Sequence, residues 1–154
     1  MTNLECIKHF YNCFTKADIE GMLSCYHEHI EFEDPAFGKL YGLDVSKMWR
    51  MLIIRSKGQL QISYQNAIAN DKTGSVQWKA EYEFSQTGRK IVNNITAHFE
   101  FQNGKIIKHS DHFNLWKWTQ QAFGWKGYLF GWTSFMKNKI RKQTNTLLNK
   151  FEVR

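Results

Sequence analysis

The sequence holds a single proline, only three cysteines and no long hydrophobic run in its 154 residues. With one proline, 42% hydrophobic and 16% aromatic residues, it is neither disordered nor of low complexity. Cys6, Cys13 and Cys25 are odd in number and lack a CxxC pair, so they fit a reducing compartment better than a disulfide framework. The longest apolar runs, such as Met51-Leu52-Ile53-Ile54, are too short for a membrane-spanning helix. Glu5 and Lys8 interrupt the first apolar stretch, where a signal peptide needs an unbroken core. A cytoplasmic location is the expectation from these missing signals. No G-x-S-x-G elbow, phosphate-binding loop or paired-cysteine metal site occurs. The glycines at 124, 127 and 131 have the wrong spacing for a dinucleotide loop and read as turns.

Acidic residues are scarce only at one end. Residues 1–112 carry thirteen Lys/Arg and thirteen Asp/Glu, whereas residues 113–154 carry eight Lys/Arg and only Glu152. The whole net charge of +7 therefore lies in the tail. A neutral body argues against a nucleic-acid partner, which needs a cationic surface along the phosphate backbone.

A chain of this length makes one domain. Leu4, Ile7, Phe10 (or Tyr11) and Phe14 predict a helix over 3–16. Asp18 is a candidate N-cap for a second short helix carrying Ile19, Met22, Leu23 and Tyr26. Ile30-Glu31-Phe32-Glu33 alternates as a short strand ended by Asp34-Pro35. Asp44 and Ser46 offer caps for a third helix through Met48, Trp49, Met51, Leu52 and Ile53.

From residue 59 the period changes from 3.6 to 2. Strands are predicted around 60–65, 76–84, 91–101 and 105–113, with turns at Thr87-Gly88-Arg89 and Asn103-Gly104. Helices first and an antiparallel meander after them predict an α+β fold, a cone-shaped curved antiparallel sheet with N-terminal helices packed against it. Such a cone encloses a pocket. Residues 134–151 predict a basic amphipathic C-terminal helix with Met136, Ile140, Leu147 and Phe151 on one side.

Asp34 lies where an apolar strand meets an aromatic cluster. There it reads either as a desolvated general base or as an Asx turn before proline. His109 and Asp111 share one side of the last strand if that strand is regular, and Asn93 and Ala97 face them across the sheet. The pair reads as an acid–base couple or as a self-satisfied buried pair. A bulge would turn His98 and His112 inward instead. His109-x-Asp111-His112 and His27-x-His29 are poor metal sites, because His112 alternates outward and His27 and His29 read as loop, so neither metal nor cofactor is expected. Trp49, Trp78, Tyr82 and Trp116 read as pocket lining for a hydrophobic or ring-shaped ligand, or as core.

Together these segments resemble the ketosteroid isomerase-like, SnoaL-like branch of the nuclear transport factor 2 superfamily. The resemblance rests on Phe32-Glu33-Asp34-Pro35-Ala36-Phe37-Gly38, Met48-Trp49-Arg50-Met51-Leu52, Thr87-Gly88-Arg89, Asn103-Gly104-Lys105-Ile106 and Ser110-Asp111-His112-Phe113. It continues through Trp116-Lys117-Trp118 and Gly131-Trp132. It implies a domain over 1–133, with the helix at 134–154 belonging to it, and a homodimer.

In ketosteroid isomerases the aspartate of a similar Asp-Pro motif shuttles a proton, and Asp34 matches it. Their oxyanion-hole tyrosine and aspartate fall at Phe10, with Tyr11 adjacent, and at Thr96 or Ala97. In limonene epoxide hydrolases Asp111 matches one of two water-activating aspartates. The accompanying arginine and second aspartate fall at about Trp78 and Ala80. The resemblance thus implies a mixed site, with Asp34 as base and Asp111 with His109 as acid or oxyanion partner. Tyr11, Trp49, Trp78, Tyr82, Asn93 and Trp116 are the expected contacts to a small hydrophobic molecule. Isomerase, cyclase, dehydratase or hydrolase chemistry all remain open, beside a non-catalytic carrier or dimerisation module. The tryptophan-rich tail reads either as closing the cone or a dimer interface, or as meeting a membrane surface. The resemblance running through its aromatics favours the former.

Overall fold

The computed structural model describes residues 1–131 and 133–151. Trp132 and the last three residues, among them Glu152, lie outside the described residues. Thr2 starts helix α1 (Asn3–Thr15) with a reciprocal box: its hydroxyl accepts from the Glu5 N–H while the Glu5 carboxylate accepts from the Thr2 N–H. The helix buries Ile7, Phe10, Tyr11 and Phe14, with Cys6 and Cys13 beside them. Asp18 caps α2 (Ile19–Leu23) by accepting from the Gly21 N–H.

Tyr26 does not extend that helix. It opens strand β1 (Tyr26–Asp34), which also takes in His27 and His29. Strand β2 (Gly38–Tyr41) pairs back onto it, and helix α3 (Leu43–Ser56) follows. Neither Asp44 nor Ser46 caps α3. The chain enters the helix from Gly42 at φ 54°, so the turn is made by backbone and Asp44 sits in the first turn, where a carboxylate suits the helix dipole.

Strands β3 (Gln61–Ala69), β4 (Thr73–Phe84), β5 (Arg89–Gln102) and β6 (Lys105–His112) form the antiparallel meander. Asn103 and Gly104 both take positive φ in the tight β5–β6 turn, as the two-residue hairpin requires. The open six-stranded sheet runs β2-β1-β6-β5-β4-β3. β1 joins β6 in parallel, with Phe32 beside His109. A register shift between Gln65 and Ile68 bends the β3 edge, and the sheet curves around α1 and α3.

Helix α4 (Leu115–Phe123) lies over the β4–β5 end. Thr87 Oγ1 donates to the Ala122 carbonyl and Arg89 Nε to that of Gln121, while Phe84 meets the Trp118 and Phe123 rings. Gly127 is no turn. It lies within α5 (Trp125–Phe130), buried against α4, where a Cβ would overlap the Thr119 carbonyl oxygen. Gly127→Ala is therefore expected to cost about 1–3 kcal/mol by forcing α5 off α4, read as a lowered Tm.

Helix α6 (Ser134–Lys150) buries Ile140 and Leu148, with Met136 and Thr144 half-buried between and beside them. Leu147, expected on this stripe, is exposed. The helix is phased by its docking on the loop after Asp34. Arg141 Nε, Thr144 Oγ1 and Asn145 Nδ2 donate to three successive carbonyls, those of Pro35, Ala36 and Phe37.

Candidate active site

The sheet's alternation decides which polar groups enter the core. Strand β6 keeps its parity through Lys108–His112, so His109 and Asp111 point inward at 1% and 4% exposure. His98 and His112 face each other on the solvent side, with ring centroids 5.3 Å apart.

His109 is sealed among rings. Phe99 lies at 4.7 Å, Phe32 at 5.1 Å and Phe10 at 5.7 Å between centroids, and Trp49 stacks at 6.0 Å. Its two nitrogens each have one partner. Tyr26 Oη lies 2.7 Å from Nδ1, and Asp111 Oδ1 lies 3.0 Å from Nε2. Trp49 Nε1 donates to Tyr26 Oη at 2.9 Å, and Trp78 Nε1 donates to Asp111 Oδ1 at 3.2 Å.

One proton arrangement satisfies this chain. Because Tyr26 Oη already accepts from Trp49, its own proton goes to His109 Nδ1. Nε2–H then donates to Asp111, so the hydrogen-bond chain places a proton on Nε2. Burial pushes the Tyr26 hydroxyl well above the usual phenol range, against the Trp49 hydrogen bond and with the Asp111 charge adding to it, which keeps that donor protonated. Two N–H donors thus hold Asp111 Oδ1, and Oδ2 makes no hydrogen bond among the described residues.

Tyr11 is fully buried, and its hydroxyl has no hydrogen-bond partner among the described residues. Its ring lies 5.8 Å from that of Trp78. Burial raises its pKa, and the Asp111 charge raises it further. An orphaned buried hydroxyl costs about 1–3 kcal/mol.

Asp34 is half-buried at the end of β1. Its Oδ1 accepts from the Ala36 and Phe37 N–H groups at 2.9 and 2.6 Å, an Asx turn, while Oδ2 makes no hydrogen bond among the described residues. Burial pushes this carboxyl up to about 7, against the two N–H donors and Arg141, and the Asp111 charge pushes the same way. The base and turn readings are thus compatible: the turn holds one oxygen and leaves the other.

Tyr82 Oη accepts from Trp118 Nε1 at 2.8 Å, and its pKa is raised by burial and by Asp34. Asn93 is half-buried opposite Ala80. Asp34, Asp111, Tyr11, Tyr82 and Trp78 are therefore linked by hydrogen bonds or mutual charge. Trp49 serves the Tyr26–His109 chain with its indole N–H. Trp116 is drawn elsewhere, donating to the Tyr128 carbonyl and packing on the Tyr128 ring.

Around His109 the interior is packed with rings. Two grooves, of about 550 and 440 Å³, lie instead on the outer face of the sheet, between Ser75, His98, Glu100 and Ser110 and between Ser63, Gln77, Lys79 and Thr96. Neither is lined by Asp34, Asp111 or His109.

Tyr26 is the interior polar residue that helical spacing placed on the wrong element. No period reaches it from Phe32 and Ile30, because Glu28 is exposed and the register shifts between Tyr26 and Glu31. The family model described as a SnoaL-like domain matches residues 7–109, most of the curved sheet and the helices packed on it. The chain belongs to the SnoaL-like family. No curated protein matches the sequence.

Among solved structures, the SnoaL-like chain is similar to TerC co-crystallised with polyporic acid, at 20% identity and a TM-score of 0.67. The match covers 78% of this chain and 97% of TerC. It is similar to a protein with a cystatin-like fold from Xanthomonas campestris, at 16% identity and a TM-score of 0.68, over 80% and 98% of the two chains. It is also similar to SalBIII, an epoxide hydrolase/cyclase-like enzyme with a role in pyran ring formation in the polyether salinomycin. There the identity is 15% and the TM-score 0.63, over 73% and 91% of the chains. These neighbours establish the cone-shaped fold. Each is covered nearly end to end, while about a fifth or more of this SnoaL-like chain is left over.

Proposed function

We propose that this SnoaL-like protein is an acid–base enzyme acting on a small, apolar, ring-containing carbonyl compound, by isomerisation or cyclisation. The observation that carries the reading is Asp34: one carboxylate oxygen pinned by two backbone N–H groups, the other unpartnered among the described residues, and a pKa pushed up to about 7. Such a group gives and takes protons at neutral pH with little driving force lost in either direction. In this mechanism Asp34 Oδ2 removes a proton from the carbon beside the substrate carbonyl. The Tyr11 hydroxyl, which lacks a partner among the described residues, donates to the oxygen where negative charge develops. Asp111 borders that oxygen site and is held by His109 and Trp78.

His109 touches only protein groups and is a positioning residue for Asp111. Tyr82, Trp78 and Asn93 supply the apolar and amide contacts to the ring. TerC with polyporic acid and SalBIII with its pyran ring support a cyclic ligand class by analogy of fold. A homodimer through the outer face of the sheet belongs to the same reading, supported by the two grooves there.

The test is turnover of small cyclic ketones and enones. Asp34→Asn and Asp111→Asn are each expected to lower kcat/KM by about 10² or more. Unchanged turnover in either variant ends the assignment. The rival reading is a non-catalytic ligand carrier. A carrier would bind such ligands equally well in the unaltered protein and in the Asp34→Asn variant. Calorimetry recognises it by ligand binding without turnover in the unaltered protein.

A further inference from the structure

Helices α5 and α6 lie beyond the stretch that the family model matches. Residues 113–151 contain seven Lys/Arg and no Asp or Glu. On α5, Trp125 is 67% exposed, with Tyr128 and Phe130 also at the surface, and the Lys126 ammonium lies 5.8 Å from the Trp125 ring centroid. On α6, a period of 3.6 sets Phe135, Lys139 and Lys142 on one face, opposite the stripe of Met136, Ile140, Thr144 and Leu148. Phe135 is 77% exposed. Among the described residues, Lys126, Lys139 and Lys142 make no ion pair.

We propose that α5 and α6 form a docking surface for an anionic lipid membrane. Exposed aromatic rings belong at the level of the lipid headgroups, and lysines on flexible stems reach the lipid charge beside them. The centre of a protein–protein interface is depleted of charge, whereas here the cations flank the rings on the same two helices. No described helix is long and apolar enough to cross a membrane, so the contact is peripheral. The bonds from Arg141, Thr144 and Asn145 to the loop after Asp34 fix how the surface is presented. The proposal does not depend on the chemistry assigned to Asp34.

The test is cosedimentation of the full chain with vesicles of phosphatidylcholine containing phosphatidylglycerol, against phosphatidylcholine alone. Binding to the anionic vesicles is expected, and it weakens as salt is raised. The pairs Lys139→Glu with Lys142→Glu, and Trp125→Ser with Phe135→Ser, should each weaken it by about tenfold or more at unchanged Tm. Absence of vesicle binding, equal binding to both compositions, or binding indifferent to both pairs overturns the proposal. So does a dimer in sedimentation velocity that the Trp125→Ser, Phe135→Ser pair dissociates, since the face is then an interface between two copies.

Discussion

Replacing His109 by alanine is expected to lower the unfolding free energy by about 3–5 kcal/mol, among the largest effects of any single substitution in this chain. Two losses combine. The imidazole fills space between Phe10, Phe32 and Phe99, whose side chains cannot all close on the void. The Tyr26 hydroxyl also loses its acceptor, and Asp111 loses one of two donors. His109→Phe separates the two contributions. It keeps a ring among the rings and removes only the polar links, so it should cost about 1–3 kcal/mol for the groups left unpaired. Denaturant unfolding of both variants checks the ordering. Equal costs would mean that the hydrogen-bond chain dominates; a cost below about 1 kcal/mol for His109→Ala would mean that neither packing nor hydrogen bonding at this site matters.

The parts of the fold legible in the sequence are those with a local cause. Alternation from Val76 to Phe84 and from Ile91 to Phe101, followed by the Asn103-Gly104 turn, specifies the meander because pleat and hairpin are decided within about a dozen residues. β2 was not legible, being four residues long, too short for any period to show. The first half of β1 was hidden by His27, Glu28 and His29, polar residues that fall in the register shift between Tyr26 and Glu31, where β1 passes a strand far away in the chain. Tyr26 was lost with it.

In the tail the helix itself was legible but its phase was not. Leu147 and Leu148 are adjacent, and the one that turns inward is chosen by Thr144 and Asn145 meeting the carbonyls of Ala36 and Phe37. The candidate site divides in the same way. The inward parity of His109 and Asp111 follows from regular alternation, and the Asx turn at Asp34 follows from Asp-Pro. The rise of the Asp34 pKa does not, because burial depends on how the sheet, the loop and the C-terminal helices come together. The orphaned Tyr11 hydroxyl is equally a tertiary fact: nothing in helix periodicity says that every acceptor around it is used or absent.

Asp34 couples that site to the stability of the whole protein, with a definite sign. Its carboxyl ionises at about 7 in the folded chain, against an ordinary 3.8. Below about pH 4 both folded and unfolded chains hold the proton, and the group contributes no difference. Between about 4 and 7 the unfolded chain releases it while the folded chain keeps it, so stability falls as pH rises; above about 7 both are ionised and the penalty is complete. The gap between those two values sets a ceiling of about 4 kcal/mol, and the partial exposure of the carboxyl halves it, to about 2 kcal/mol. Asn in place of Asp34 cannot ionise, yet its amide oxygen still accepts from the Ala36 and Phe37 N–H groups. Asp34→Asn should therefore match the unaltered protein in Tm near about pH 4 and exceed it by several degrees at about pH 8, while losing about 10² in rate. Thermal unfolding of the two proteins across that range reads the difference directly. A Tm difference that stays flat with pH would show that Asp34 ionises at its ordinary value, and the proton-shuttle role would fall with it.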